Sequence, residues 1–134
     1  MKTIMISVNP PHAGNLVDEV KTVEWRTKPL PCPCKALVYE TKKYGGSGKV
    51  IGEVEVAGRA PIRVTSLNSH YFKGFIRDGM VGIDFLEKYA KSRNAELLYA
   101  NVTQSGKRYE KPKELSEFGI KRPFQSWGYV YDRV

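Results

Sequence analysis

The sequence predicts an α+β domain: a small mixed or antiparallel β-barrel of about five to seven short strands with two or three flanking helices. Three observations carry this. Apolar and polar residues alternate over several short segments, the pattern of half-buried strands. Two other segments repeat their apolar residues at helical spacing. The connections between strands are too short for parallel crossover units throughout.

The 134 residues match the length of one domain, spanning 1–134. Hydrophobic residues make up 41%, enough for a core. No apolar run approaches the roughly 20 residues of a membrane span, so no membrane partner is expected. The start, Met1 to Ser7, has one positive charge and a short apolar run before Pro10. It lacks the features of a signal peptide, and a cytoplasmic location is the expectation. Lys and Arg number 22 against 14 Asp and Glu, a formal charge of +8. That excess favours a polyanion, RNA or nucleotide first and DNA as an alternative, through counterion release and steering. Nothing in the sequence specifies an oligomeric state.

Thr3 to Val8 reads as a strand, with Ile4, Ile6 and Val8 on one face. Asn9-Pro10 reads as a helix start, Asn capping free N–H groups and Pro at the first helical position. Ala13, Leu16, Val17 and Val20 then form a helical stripe. In Lys21-Thr22-Val23-Glu24-Trp25-Arg26, Val23 and Trp25 alternate with charged residues. This predicts a strand with Thr22, Glu24 and Arg26 on its other face. Such a face is either a solvated ladder of ion pairs or a wall of a polar pocket. Trp25, by alternation, belongs to the core.

Lys28 to Pro33 is an extended loop, since three prolines remove three donors. Lys35 to Thr41 and Lys49 to Ala57 form a hairpin around Tyr44-Gly45-Gly46-Ser47-Gly48. In the first strand Leu37, Tyr39 and Thr41 oppose Ala36 and Val38; in the second Val50, Val54 and Val56 oppose Ile51, Glu53 and Glu55. Gly58 to Pro61 breaks the second strand, and Ile62 to Val64 resumes it. Thr65 to Phe75 has helical spacing at Leu67, His70, Tyr71 and Phe75. Ile83 to Lys91 is an amphipathic helix, with Ile83, Leu86, Tyr89 and Ala90 on one face and end charges that suit the macrodipole. Glu96 to Thr103 is a strand, Ser105-Gly106-Lys107 a turn, and Arg108 to Lys111 extended. Glu114 to Phe118 is one helical turn stopped by Gly119. Pro123 to Tyr131 is a loop leading into a final strand.

The glycines before Lys49 do not make a phosphate loop. Lys43 stands where the first Gly belongs, and Val50 where a metal-holding Ser or Thr belongs. Cys32 and Cys34 offer two thiols, His12 and His70 lie far from them in sequence, and a structural zinc site wants four ligands. They read as thiols of a Pro-rich loop entering a strand, and neither metal nor cofactor is expected. His70 reads as a packed or surface side chain. A Ser-His-Asp arrangement finds no support with only two histidines, neither near a promising Ser.

Lys21, Glu24 and Arg26 stand at the spacing of the G-x-K-x-x-E-x-R segment of the ASCH domains, within the PUA-like superfamily, and the chain resembles that family. Glu19 occupies the Gly position. Ser7-Val8-Asn9-Pro10 is similar to the family's entry into its first helix. Val38 to Thr41 with Val50 to Glu53 resembles its hairpin, and Pro112 to Val130 its closing segment. The resemblance implies a PUA-like barrel with a cleft between barrel and first helix, lined by the K-x-x-E-x-R residues and binding RNA or nucleotides. Small members are similar to amidohydrolases that deacylate N4-acetylcytidine; others are ribonucleases by proposal, or modules of transcription coactivators. The amidohydrolases pair a Lys with a Thr three residues on and a distant Glu. Lys21 matches the Lys, Glu24 replaces the Thr, Thr22 is its neighbour, and Glu53 and Glu87 are candidates for the distant Glu.

Within such a cleft Lys21 and Arg26 suit a phosphate or acyl oxygen, Arg26 bidentately. Glu24 can accept from an exocyclic amine or act as a base. Tyr39 and Trp127 are candidates for base stacking, with barrel core as their alternative. Thr41 and Ser126 are expected nearby. If the protein is an enzyme, Lys21 and Glu24 are the catalytic candidates. The leading expectation is an RNA- or nucleotide-binding module; the alternatives are a nucleoside deacylase or ribonuclease, and a protein-interaction module in transcription control.

Overall fold

The computed structural model describes residues 1–131. Six strands form one sheet: β1 (Lys2–Val8), β2 (Val23–Arg26), β3 (Cys34–Glu40), β4 (Lys49–Arg63), β5 (Leu97–Lys113) and β6 (Trp127–Tyr129). Helix α1 (His12–Val17) follows β1, and α2 (Lys73–Gly79) and α3 (Ile83–Ser92) lie between β4 and β5. The strand order is β2-β5-β4-β3-β1-β6. Among the described residues β1 and β3 pair in parallel and the other pairings are antiparallel.

The mixed α+β class matches the expectation, but the barrel does not close. β2 and β6 are the two edges of the sheet and share no ladder. Both edges are short, of four and three residues. The Arg26 side chain reaches from β2 to the carbonyl of Ser7 on β1 at 3.0 Å and to Ser126 beside β6. A guanidinium thus ties the two ends of the sheet where barrel closure would need a backbone ladder.

The hairpin pattern correctly separates the two faces of β3. Ala36 and Val38 pack with Ile4, Ile6 and Leu16 under α1, whereas Leu37 and Tyr39 pack with Met5 on the opposite face. β4 and β5 depart from the expectation. Each is one long strand, of 15 and 17 residues, carried by bulges through the segments read as breaks. Register shifts occur between Val50 and Gly52 and between Val56 and Gly58. The first shift reverses the alternation, so Ile51 joins Val54 and Val56 in one cluster while Val50 faces the other way. Alternation alone cannot register an inserted residue.

The first helix is shorter than its stripe predicted. It ends at Val17, and Val20 is exposed. The Asn9 side chain does not cap it; the Asn9 backbone carbonyl accepts from Ala13 N–H, and the side chain takes the Thr41 hydroxyl at 2.6 Å. Thr65 to Phe75 is not one helix. Two 3-10 turns precede α2; of the predicted stripe Leu67 is buried and Phe75 packs partly against the same core, while Tyr71 is exposed. The turn at Leu115–Phe118 forms as expected and stops at Gly119, whose φ is 71°. α3 buries Leu86 and Ala90 against Trp25, Ile62 and Leu98.

Candidate functional site

β1 runs into α1 at the same end of the sheet at which its parallel neighbour β3 finishes. A cleft of about 1250 Å³ opens there. Its floor comes from β2 and the start of α1, one wall from α3, and the other from the closing segment before β6.

The Lys21-to-Arg26 segment folds as an edge strand because Val23 and Trp25 are drawn into the core beside Leu86, Leu98 and Ala100. That burial turns Glu24 and Arg26 toward the cleft, with Lys21 just ahead of the strand. Lys21 and Glu24 are buried, so the solvated-ladder alternative does not describe them. The Lys21 ammonium lies 3.4 Å from Glu24 Oε1, and Arg26 Nη2 lies 2.9 Å from Glu24 Oε2. Arg26 Nε donates to the same Oε2 at 3.0 Å. Burial works against ionisation of Glu24, but the charges and hydrogen bonds of Arg26 and Lys21 prevail and hold its carboxyl below the ordinary range. Behind the strand, buried Asn101 donates to the Glu24 carbonyl at 3.0 Å and accepts from Leu30 N–H at 3.3 Å. This second layer fixes where β2 sits.

His12, which sequence spacing kept apart from the site, completes the floor. Lys21 Nζ donates to His12 Nδ1 at 3.4 Å, since an ammonium can only donate. Burial and the Lys21 charge lower the His12 pKa, so the ring is neutral at pH 7 with its proton on Nε2. The signal was the position of His12 at the strand-to-helix turn rather than any histidine spacing.

The five N–H bonds of Arg26 all point at protein acceptors: Glu24, the Ser7 carbonyl, and the Ser126 carbonyl and hydroxyl. It is a clasp rather than an open fork. Lys21 keeps one N–H beyond Glu24 and His12. Lys42, Lys43 and Lys121, on the loop after β3 and on the closing segment, are exposed at the mouth and have no acidic partner among the described residues. Glu114, also at the mouth, is engaged by Lys49 at 3.1 Å.

Tyr39, Thr41 and Ser126 line the cleft. Tyr39 is buried, and Thr41 is held by Asn9. Trp127 does not line it. β6 turns that ring onto the core, edge-on to Tyr129 at 5.2 Å. Thr22 also stands outside, its backbone bonded to Asp78 and Thr103. Of the distant acids, Glu53 takes Lys35 at 3.2 Å and the Tyr109 hydroxyl at 2.9 Å, and Glu87 lies beside a minor cavity; neither reaches the cleft. Cys34 opens β3, buried, and burial with nearby Cys32 pushes its thiol up to about 11. Among the described residues no three His, Cys, Asp or Glu side chains gather in a way that could hold a metal ion.

At the Gly position of the resemblance, Glu19 has a φ of 60°, in the left-handed region that glycine enters freely. Its carboxylate accepts from Gly106 N–H at 2.8 Å, so the turn keeps its shape and gains a tether to β5.

No protein-family model matches the chain. The large ribosomal subunit protein uL22 of Ureaplasma parvum serovar 3 is 24% identical over 131 residues, covering 96% of this chain. The chain spans 39% of the length of that relative. Among solved structures, ASCH from Zymomonas mobilis superposes with a TM-score of 0.79 at 24% identity, covering 97% of this chain and 88% of that one. A serine-to-alanine mutant of the same ZmASCH protein superposes with a TM-score of 0.80 at 21% identity, covering 97% of this chain and 89% of its own. Among the described residues no helix is long and apolar enough to cross a membrane. The open six-stranded sheet with its three helices is the fold of the ASCH proteins.

Proposed function

We propose that the cleft binds RNA or a nucleotide. The observation that carries this reading is its charge. Lys21, Arg26, Lys42, Lys43, Arg93 and Lys121 line it against Glu24 and Glu114, and both carboxylates are already paired. The remaining positive field suits phosphate, and the chain's +8 excess extends it. The spare N–H of Lys21 is the floor's donor to a ligand oxygen, held in place by Glu24 and His12. Arg26 shapes the floor and keeps Ser126 and Ser7 beside it. Tyr39 and Thr41 form the adjoining wall. The ASCH fold and the sequence likeness to a large ribosomal subunit protein support the same reading. DNA offers the same phosphates, and a parallel titration with a DNA strand tests the preference. The test is titration of labelled hexacytidylate into wild type and Lys21→Gln, which keeps a donor to Glu24 but no charge. Binding weakened about tenfold is expected; equal affinity would overturn the role of Lys21.

A second reading is hydrolysis of an acylated nucleoside such as N4-acetylcytidine. The Lys21 ammonium, held by Glu24 and His12 at the floor of the cleft, favours it: its spare N–H can polarise the acyl carbonyl for attack by water, with acetate and cytidine as the products. Acetate release from N4-acetylcytidine, lost in Lys21→Gln, is the expected result; no turnover at high enzyme concentration contradicts it.

A further inference from the structure

The wall of the cleft made by α3 carries planar side chains in a row. Phe85, Tyr89 and Arg93 follow one another at intervals of four, on one helix face, and all three line the cleft. Phe85 is 56% exposed, unusual for a phenylalanine. Its ring stands 6.3 Å from that of Tyr89 at an interplanar angle of 18°. The Arg93 guanidinium lies over the Tyr89 ring at 5.4 Å. Leu86 and Ala90, one position on, hold the helix to the core and turn Phe85 outward, with Tyr89 half-buried beside it. Across the mouth stand the unpaired Lys42, Lys43 and Lys121.

We infer that this row is a stacking ledge for unpaired bases, and that the ligand of the cleft is a single-stranded oligonucleotide rather than a free nucleotide. The inference rests on the nucleic-acid reading of the cleft. The exposed Phe85 ring, near-parallel to the half-buried Tyr89 ring, offers a π-face to an unpaired base, while the lysines of the same cleft take the phosphates; single-strand sites combine these two features. The cleft also exceeds the roughly 300–1,000 Å³ usual for small-molecule sites, which leaves room for more than one nucleotide. A duplex hides its base faces and would leave Phe85 in water. A protein partner would want an apolar patch without the opposing lysines.

The test compares hexacytidylate with a hexamer of abasic ribose phosphates, which carries the same charge and no bases. Wild type is expected to bind the base-bearing strand about tenfold or more tighter. Phe85→Leu, apolar but without a ring, should lose most of that ratio, and Phe85→Tyr should keep it. Near-UV circular dichroism checks each variant's fold, and Tyr89→Leu serves if Phe85→Leu fails to fold. Equal binding of the two strands by wild type would overturn the ledge, give its aromatic row to a protein partner, and leave the phosphate reading intact. A ratio unchanged in Phe85→Leu would overturn it too. No binding of either strand would overturn the nucleic-acid reading, and the ledge with it.

Discussion

The floor and the mouth of the cleft use the same residue types for opposite ends. At the floor, buried Glu24 holds buried Lys21 at 3.4 Å and half-buried Arg26 at 2.9 Å. At the mouth, Lys42, Lys43 and Lys121 are exposed and have no acidic partner among the described residues. Charge at the floor is spent on shape: Arg26 ties β2 to Ser7 and Ser126 across the open side of the sheet. Charge at the mouth has no such partner among the described residues, and the proposed function assigns it to the ligand's phosphates. The difference teaches that a cationic residue in a cleft is a ligand donor only to the extent that its N–H groups are free.

The comparison breaks first if Glu24 can be removed cheaply. Glu24→Ala leaves buried Lys21 without its counter-charge and half-buried Arg26 without its carboxylate, and should cost about 3 kcal/mol, read as a lower urea midpoint. A loss no larger than at a surface site would mean the floor is solvated. Arg26→Lys comes next. A point charge cannot serve Glu24, Ser7 and Ser126 together, and a loss of about 2 kcal/mol is expected. A Lys that kept full stability would deny the clasp between the ends of the sheet. The acid limb sharpens the same point. Glu24 titrates below its ordinary value of 4.5 in the fold, so its stabilisation is full above that pH. It is lost as pH falls below 4.5 through the lower folded value. Glu24→Gln should therefore show a smaller drop in Tm between pH 5 and pH 3 than wild type.

How far the sequence reveals this depends on the kind of signal. Val23 and Trp25 alternate cleanly, so β2 and the cleft-facing side of Glu24 and Arg26 could be read from pattern. Pattern does not say how deep a strand lies, and the burial that makes this ladder a buried network comes from α1 and the closing segment folding over it. The stripe of α3 was legible through Leu86 and Ala90. Phe85 fell outside that stripe and carried no meaning until the cleft showed what it faces. Gly58 and Pro61 read as breaks, because bulges that let a strand continue depend on its partner. The chemistry of Trp127 suits a stacking platform or the core equally, and a three-residue strand paired to β1 turns it inward. Barrel closure was expected from the run of short strands and from the resemblance, while the two edge strands, of four and three residues, share no ladder.

The central claim is that the mouth supplies three free phosphate contacts, while the floor supplies the form and the single spare N–H of Lys21. The most direct measurement is the slope of log affinity against log salt for labelled hexacytidylate, with wild type beside Lys42→Ser/Lys43→Ser/Lys121→Ser. Single strands lose about 0.7 in slope for each phosphate contact removed, so the triple variant should be shallower by about 2. Its urea midpoint should stay within about 0.5 kcal/mol of wild type. An unchanged slope with intact folding would contradict the account.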